Sequence, residues 1–422
     1  PSSAASDVYK RQVLKVVLLN HHKITQRRSP MPNNDFISNI LEIKDLIITN
    51  VESTPENICI SFKLERHDHV CPNCGAITNK VHDYRKSIIK DTPILGKNVL
   101  LFYSKRRYHC DCCGKHFLEN FTLLPKHCRI TNRLNFLAIN MLNQTLNVSS
   151  VARYLGISSS SIFRRLNDVK FPKPSILPHV LSIDEFKGNA NGEKFQAILT
   201  DPKNHKIFDI LPSRTQYKLK DYLLNFKNRK DVRYFIMDMN YVYREIAETF
   251  FPNATIVIDR FHVVRYVTWA LENVRKRIQK EMLPFKRKYF KRSRRILLSH
   301  YHKLSAENKQ ALEVMLTQSN DLAIAYHLKE LFYDFMDSPD RNVAYKRLRK
   351  FILATQASEL KEFNATLTML ANWSKYILNA FDCPYSNGFT EGTNNKIKVI
   401  KRNAYGFRNF ENFRNRILMT SI

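Results

Sequence analysis

The chain is short of acid. It carries 38 Asp and Glu against 68 Lys and Arg, a formal charge of +30 over 422 residues. That imbalance exceeds what solubility requires and points to a polyanionic partner, most simply nucleic acid. No apolar run is long enough to span a bilayer, and the cations lie in several regions rather than one juxtamembrane cluster. A membrane partner is therefore not expected. No internal repeat is visible, so the length reads as two or three distinct domains. The spacing of a secreted disulfide framework is missing too. Of eight cysteines, five crowd into residues 71–113, while Cys59, Cys128 and Cys383 stand alone. Such clustering favours metal in a reducing compartment. A hydrophobic content of 44% argues for a folded chain.

Residues 2–12, SSAASDVYKRQ, resemble the in-frame translation of a sequencing adapter. Residues 1–30 are expected to lie upstream of a natural start at Met31, and the short run VLKVVLL within them is set aside from the fold.

Four regions follow. In 31–70, LIITNVES and ICISFKLE alternate as strands do; 71–127 hold the clustered cysteines; 128–170 are helical; FPKPSILP, 171–178, is a linker. From 179, HVLSIDEF, FQAILTD and KIFDILPS read as strands in an antiparallel meander. A helix (TQYKLKDYLLNF), a strand (VRYFIMD), a helix (YREIAETFF) and a strand (ATIVIDRF) come next. Residues 265–376 read as an all-helical insertion, and 377–422 as a Gly- and Asn-rich turn with two helices. The expected fold class is multidomain α+β. It comprises a zinc ribbon-like module with its N-terminal strands, a helix-turn-helix, and an α/β domain in two parts, 179–264 and 377–422.

Cys71-Pro-Asn-Cys74 is answered by Cys110-Asp-Cys112-Cys113. A tight turn lets each pair present two thiolates to one tetrahedral zinc, with the strand-like VLLFYSKRRYHC as the ribbon between. Reduced core cysteines are the alternative. Cys112 is ambiguous, and His109 or His116 could replace a thiolate. Four protein ligands leave no open position, so this zinc is read as structural.

Within 128–170, residues 133–169 read as helix, short helix, turn, helix. SSVARYLG ends on glycine, and ISSSS supplies caps for SIFRRL. In a major groove, Ser159 and Ser160 would sit at the helix start, with Arg164 and Arg165 facing phosphates or base edges. A small bundle without DNA contact is the competing reading.

LSIDEF puts Asp184 in the first strand of the α/β domain, and YFIMDMN puts Asp238 at the end of the fourth. With strand order 3-2-1-4-5 these strands are neighbours, so both carboxylates can meet and hold one or two Mg²⁺ (or Mn²⁺) ions. Two ions would suit an in-line phosphoryl displacement. Glu391 in NGFTEGTNNKIKVIKR is the third candidate, on a helix face shared with Asn395 and Lys398, while Ile397 and Ile400 face the sheet. Each residue alone has an ordinary reading, as turn aspartate or helix-start glutamate.

The ordered motifs IDEFK, IMDMN, VIDRFHVV and NGFTEGTNNKIKVIKRNAYGFRNF resemble those of bacterial insertion-sequence transposases of the ISL-three family. The resemblance runs from Met31 to the end. It implies an RNase H-like DDE domain interrupted by helices, with Asp184, Asp238 and Glu391 as the three acids and two Mg²⁺ ions. It further implies DNA as partner (inverted-repeat ends and target), a homo-oligomer joining two ends, and a bacterial cytoplasmic protein at the nucleoid. Asp259 rivals Asp238 as second acid. With His262 it forms a D-x-x-H arrangement that supports the site, unless that histidine is structural. Lys398 and Arg402 would hold phosphates. In the insertion, VRKRIQKEMLPFKRKYFKRSRR supplies Arg287, Lys288 and Arg292 for phosphate contact, with Phe285, Tyr289 and Phe290 packing or stacking. Trp269 and Trp373 are expected in the core. Two other classes remain: a non-catalytic zinc/helix-turn-helix regulator, and an RNase H-like nuclease without strand transfer.

Overall fold

The computed structural model describes residues 34–420 except 120–123, 125–127, 145 and 293, and only the backbone at 34–36, 288–289 and 291–292. Residues 1–30 and Met31 lie outside the described residues. The chain divides into two units, 1–138 with 153–157, and 139–152 with 158–422.

In the first unit a helix, α1 (Asn34–Leu41), precedes strands β1 (Leu46–Ser53), β2 (Asn57–Leu64), β3 (His69–Val70), β4 (Ile77–Thr78), β5 (Val81–Ile94), β6 (Lys97–His109) and β7 (His116–Leu118). The main sheet runs β1-β2-β6-β5, with β7 on β6. The two alternating segments thus form β1 and β2 as expected, and the ribbon between the cysteine pairs is β6 with its partner β5. Leu95 (φ 52) and Gly96 (φ 76) turn that hairpin, both left-handed as a turn matching the strand twist requires. Alternation in β6 buries Val99, Leu101 and Tyr103 against Ile60, Phe62 and Ile89, while Tyr103 stacks on Phe62 at 4.9 Å.

Three helices follow in the chain: α2 (Asn132–Asn143), α3 (Val148–Tyr154) and α4 (Ser159–Asp168). Ser158 caps α4, its side chain accepting from Ser161 N at 3.2 Å. Ile162 and Leu166 form the buried stripe of α4. No secondary structure occurs in the linker 171–178.

The second unit is built on β8 (Val180–Phe186), β9 (Gln196–Asp201), β10 (Lys206–Leu211), β11 (Tyr234–Met237) and β12 (Thr255–Ile258), in the order β10-β9-β8-β11-β12. This is the 3-2-1-4-5 order expected from the sequence. β8, β9 and β10 form an antiparallel meander, and β8, β11 and β12 run parallel. Helix α5 (Gln216–Leu224) leads to β11, and α6 (Tyr241–Phe250) crosses from β11 to β12. The described residues of the insertion are helical: α7 (Arg260–Glu281), α8 (Pro284–Arg292), α9 (Arg294–Leu298), α10 (Ala306–Leu316), α11 (Asn320–Met336), α12 (Arg341–Ala357) and α13 (Asn364–Leu378). The chain returns through α14 (Gly388–Asn403) and α15 (Phe410–Met419).

The strands of a doubly covered sheet are apolar on both faces. Leu181 and Ile183 of β8 join the large cluster that continues into α7–α13. The alternate residue Phe186 joins Ile198, Ile210, Ile397, Ile400 and Phe413, the cluster under α14 and α15. The period of two therefore puts Asp184 on the α14 side of the sheet and Glu185 on the other. Glu185 pairs there with Arg214 and accepts from Tyr243 Oη at 3.2 Å.

The turn expected within 377–422 falls at 382–387, and the first of the two helices, α14, begins at Gly388. Asn387, at the cap position, makes no side-chain capping bond. Its amide is engaged across the sheet, described next.

Candidate active site and cysteine cluster

In the first unit, Cys71, Cys74, Cys110 and Cys113 bring their sulfurs within 4.8 Å of one another. Cys71–Cys113 and Cys74–Cys110 are each 3.6 Å apart, close to the tetrahedron edge of about 3.8 Å that a 2.3 Å zinc–sulfur bond implies. The two halves fold alike. Gly75 N–H donates to Cys71 O at 3.0 Å and Gly114 N–H to Cys110 O at 2.8 Å. Both glycines are left-handed, at φ 75 and 69. A glycine after each C-x-x-C was thus a second signal in the sequence. A backbone N–H from Lys115 and the Asn73 side chain bring the Cys113 thiol down to about 6, while against a backbone N–H from Ala76 the neighbouring cysteine sulfurs push Cys74 up to about 12. Cys112 is exposed, and among the described residues neither it nor His109 nor His116 joins the four-cysteine group.

In the second unit the acids converge. Asp184 is buried on β8; Oδ1 accepts from Glu185 N at 2.6 Å and Oδ2 from Asn394 Nδ2 at 2.7 Å. Asp238 follows β11 directly. Its Oδ2 lies 3.2 Å from His262 Nε2, and its buried Oδ1 has no hydrogen-bond partner among the described residues. Asp259 caps α7 through Phe261 N (3.1 Å) and accepts from Asn387 Nδ2 (3.3 Å). His262 stands 3.9 Å from it. Asp238, Asp259 and His262 form a group with ligand atoms within 4.8 Å. Glu391, in the first turn of α14, is half-buried and senses Asp259 and Asp184.

The electrostatics follow from this crowding. Burial first, then the charge of Asp238, pushes Asp184 up to about 7. Burial, then Asp259, Glu185 and Glu391, does the same to Asp238, again to about 7. Burial and Asp259 raise Glu391. Three carboxylates raised by burial and by neighbouring negative charge, Asp184, Asp238 and Glu391, are an arrangement that a cation relieves. Two acceptor oxygens, Asp238 Oδ1 and Asn394 Oδ1, are buried without a donor among the described residues. The donor set is oxygen-rich, as Mg²⁺ or Mn²⁺ prefers.

A polar seam fixes the helix carrying Glu391. Ser182 Oγ donates to Asn387 Oδ1 (2.6 Å), and Thr390 meets Thr200 (2.8 Å). Asn387, Thr390 and Asn394 continue the buried stripe of Ile397 and Ile400. From its place on the face of Glu391, Asn395 is the supporting amide expected. Instead, Asn395 is exposed and accepts from Lys398 Nζ at 3.2 Å; Asn394, one residue earlier, reaches the site. Lys398 and Arg402 are exposed farther along α14.

Elsewhere, Ser159 and Ser160 form the first turn of α4, Arg164 is exposed, and Arg165 pairs with Asp168 at 3.0 Å. Arg287 is exposed on α8; the side chains of Lys288 and Arg292 lie outside the described residues. Phe290 and Trp373 are buried, whereas Phe285 and Trp269 are exposed. For Trp269 the core expectation is corrected, because it projects to solvent under Arg265, 4.2 Å above its ring. No described helix is long and apolar enough to cross a membrane.

Residues 181–417 match the ISL3 transposase family, and residues 67–113 match the zinc finger of the IS204/IS1001/IS1096/IS1165 transposases. The class of protein is therefore a DNA-processing enzyme with a zinc-ribbon module. The chain belongs to the ISL3 family of insertion-sequence transposases. It is similar to the transposase for insertion sequence element IS1001 of Bordetella parapertussis, 27% identical over 354 residues, covering 82% of this chain and 86% of that one. A 96-residue stretch is 38% identical to a Lactococcus lactis subsp. lactis protein named as an ATP-dependent protease, covering 19% of this chain and 31% of that one. That likeness is too short to bear on activity.

Proposed function

We propose that the protein is a DDE transposase with an RNase H-like catalytic domain. In this reading it binds the terminal inverted repeats of its element, cleaves the strand at each end and joins the freed 3′-hydroxyl to target DNA. The observation that supports the reading is the electrostatic coupling of Asp184, Asp238 and Glu391, carried by two neighbouring parallel strands and a helix and each raised by burial and then by neighbouring carboxylates. Asp184, Asp238 and Glu391 would hold two Mg²⁺ or Mn²⁺ ions. When bound, such ions supply the charge that activates a water or 3′-hydroxyl and stabilises the leaving oxygen.

The chain's own residues do the rest. Asp238 is favoured over Asp259 as second ligand because its Oδ1 is free, whereas Asp259 is committed to capping α7 and to Asn387. His262 holds Asp238 through Oδ2 and so orients that free oxygen. Asp259 and His262 are thus supporting residues. Asn387 and Asn394 lock α14 against the acids, so that Glu391 cannot swing out. Lys398 and Arg402, farther along the same helix, would neutralise phosphates, as would Arg287, Lys288 and Arg292 of α8.

End recognition falls to the remaining modules. Cys71, Cys74, Cys110 and Cys113 would hold one structural zinc. The helices α2–α4 would act as a helix-turn-helix, with Ser159, Ser160, Arg164 and Arg165 of α4 at the DNA. Joining two ends calls for a homo-oligomer, and the setting is the bacterial cytoplasm at the nucleoid.

The test is an assay with Mg²⁺ on DNA carrying the element's own ends and a supercoiled target. Ends bearing 3′-hydroxyls and their covalent joints to the target support the proposal. Cleavage without joints favours a nuclease, and binding without cleavage favours a regulator.

A further inference from the structure

Helix α14 ends at a backbone cost that nothing in its own packing explains. Tyr405 N–H donates to Arg402 O at 3.1 Å, and Gly406 N–H to Lys401 O at 2.9 Å. These are the paired bonds of a Schellman cap. The residue that turns left-handed in this motif is usually glycine, because a Cβ is strained there. Here it is Tyr405, at φ 56, while a glycine stands one place later at φ 99. Packing does not offset the strain, since Tyr405 is 95% exposed. A strained residue held open to solvent is a reason to look for a ligand.

The surroundings say what kind. Tyr405 borders a groove of about 720 Å³ lined by Lys187, Lys398, Lys401, Arg402, Phe407 and Arg408. The polar partners of two of its lysines are neutral: Lys401 Nζ donates to Lys187 O at 2.7 Å, and Lys398 Nζ to Asn395 Oδ1. Among the described residues none of the five cations pairs with a carboxylate. Burial and the neighbouring Lys187 lower the Lys401 pKa, so the positive charges press on one another. Concentrated, uncompensated positive charge calls for a polyanion, and a solvated ring beside it offers a face to a base.

The geometry points to a DNA-strand subsite at this end of α14, in which the five cations contact successive phosphates and Tyr405 stacks on an unpaired base. A base within duplex has both faces covered, so the strand must be open or flipped at that point. An acidic peptide would satisfy the cations but would leave the exposed ring without a partner. The subsite rests on the proposed function above for its DNA. Eleven residues of helix separate Glu391 from Arg402, roughly 16 Å at 1.5 Å per residue.

The test uses the full chain and a short oligothymidylate carrying a single 2-aminopurine, whose fluorescence is quenched on stacking. Wild type and Tyr405→Phe should quench it. Tyr405→Ala and Tyr405→Gly should not, and both should bind the strand roughly ten-fold more weakly. Tyr405→Gly should also raise Tm, because glycine relieves the left-handed strain. Replacing Lys398 and Arg402 together with alanine should lower the slope of log affinity against log salt by roughly 1.4, about 0.7 per phosphate contact on single strands. Quenching by Tyr405→Ala equal to wild type, a Tm lowered by Tyr405→Gly, or Tyr405-dependent binding to polyglutamate but not to the oligonucleotide would each overturn the subsite. Wild type that cleaves element ends yet never quenches defeats the subsite alone. Wild type that binds no DNA defeats the functional reading with it.

Discussion

Asn394 on α14 donates a 2.7 Å hydrogen bond to the buried carboxylate of Asp184 on β8. Through it the helix that carries Glu391 is tied directly to the strand that carries the first acid, while Asn387 makes the corresponding bond to Asp259 at 3.3 Å. The separation of the three acids therefore depends on two amides that are not acids themselves.

Asn394→Ala leaves a buried carboxylate oxygen without its donor. Stability should fall by about 1–3 kcal/mol, and Mg²⁺-dependent end cleavage by at least about ten-fold, as is usual when a group orienting a ligand is lost. Denaturant unfolding and cleavage measured on one preparation check both. Asn395→Ala, on the solvent side, should leave stability within about 0.5 kcal/mol.

The acid cluster sets a pH dependence. Asp184 and Asp238 are raised to about 7 in the fold, against about 3.9 for an unfolded aspartate. Between those values the folded state binds more protons than the unfolded one, so these groups make the cation-free protein less stable as pH rises from about 4 to 7, and no more so above. Asp184→Asn should raise Tm at pH 8 without added cation and narrow the difference towards pH 4. Cation binding must displace those protons, so the Tm gain from Mn²⁺ should grow between about pH 6 and 8. Thermal scans over pH, with and without Mn²⁺, test both signs.

The cysteine cluster should carry one zinc per chain. Cys71→Ser or Cys110→Ser should lose the metal and the first unit's cooperative melting, while Cys112→Ser keeps both. Metal analysis after gel filtration and circular dichroism decide. Retention of zinc in Cys71→Ser with loss in Cys112→Ser would reassign the ligand set.

The two basic elements should separate by the kind of contact they make. Arg164→Ala on α4 should weaken binding to the element's end by about 1–3 kcal/mol with little effect on unrelated DNA. Arg287→Ala on α8 should weaken both equally and lower the salt slope by about 1. Competition binding at several salt concentrations distinguishes these outcomes.

Much of this was legible in the chain itself. The strands that carry Asp184 and Asp238 were legible as alternating apolar runs with helix-length spacers, and the four-cysteine set as C-x-x-C spacing. Counting the face of α14 outward from Glu391 gives Asn395 rather than Asn394. Counting back from the core residues Ile397 and Ile400 gives Asn394 and Thr390 on the buried face. The bonds of Asn387 to Ser182 and Asp259 were not legible either. Such partners lie 205 and 128 residues away in sequence, where no local pattern reports them. The exposure of Trp269 has the same origin: a tryptophan on a long helix reads as core until the neighbouring helices define which face is covered.

The most direct test of the central claim compares Asp184→Asn, Asp238→Asn, Glu391→Gln and Asp259→Asn for Mg²⁺-dependent cleavage of DNA carrying the element's own ends, with binding measured in parallel. The account predicts that the first three bind as wild type and lose cleavage by at least about a thousand-fold, on the scale of removing a catalytic group, whereas Asp259→Asn retains measurable cleavage. Full cleavage by Asp238→Asn together with complete loss in Asp259→Asn would contradict the assignment of the second acid. Undiminished cleavage in all four would contradict the site.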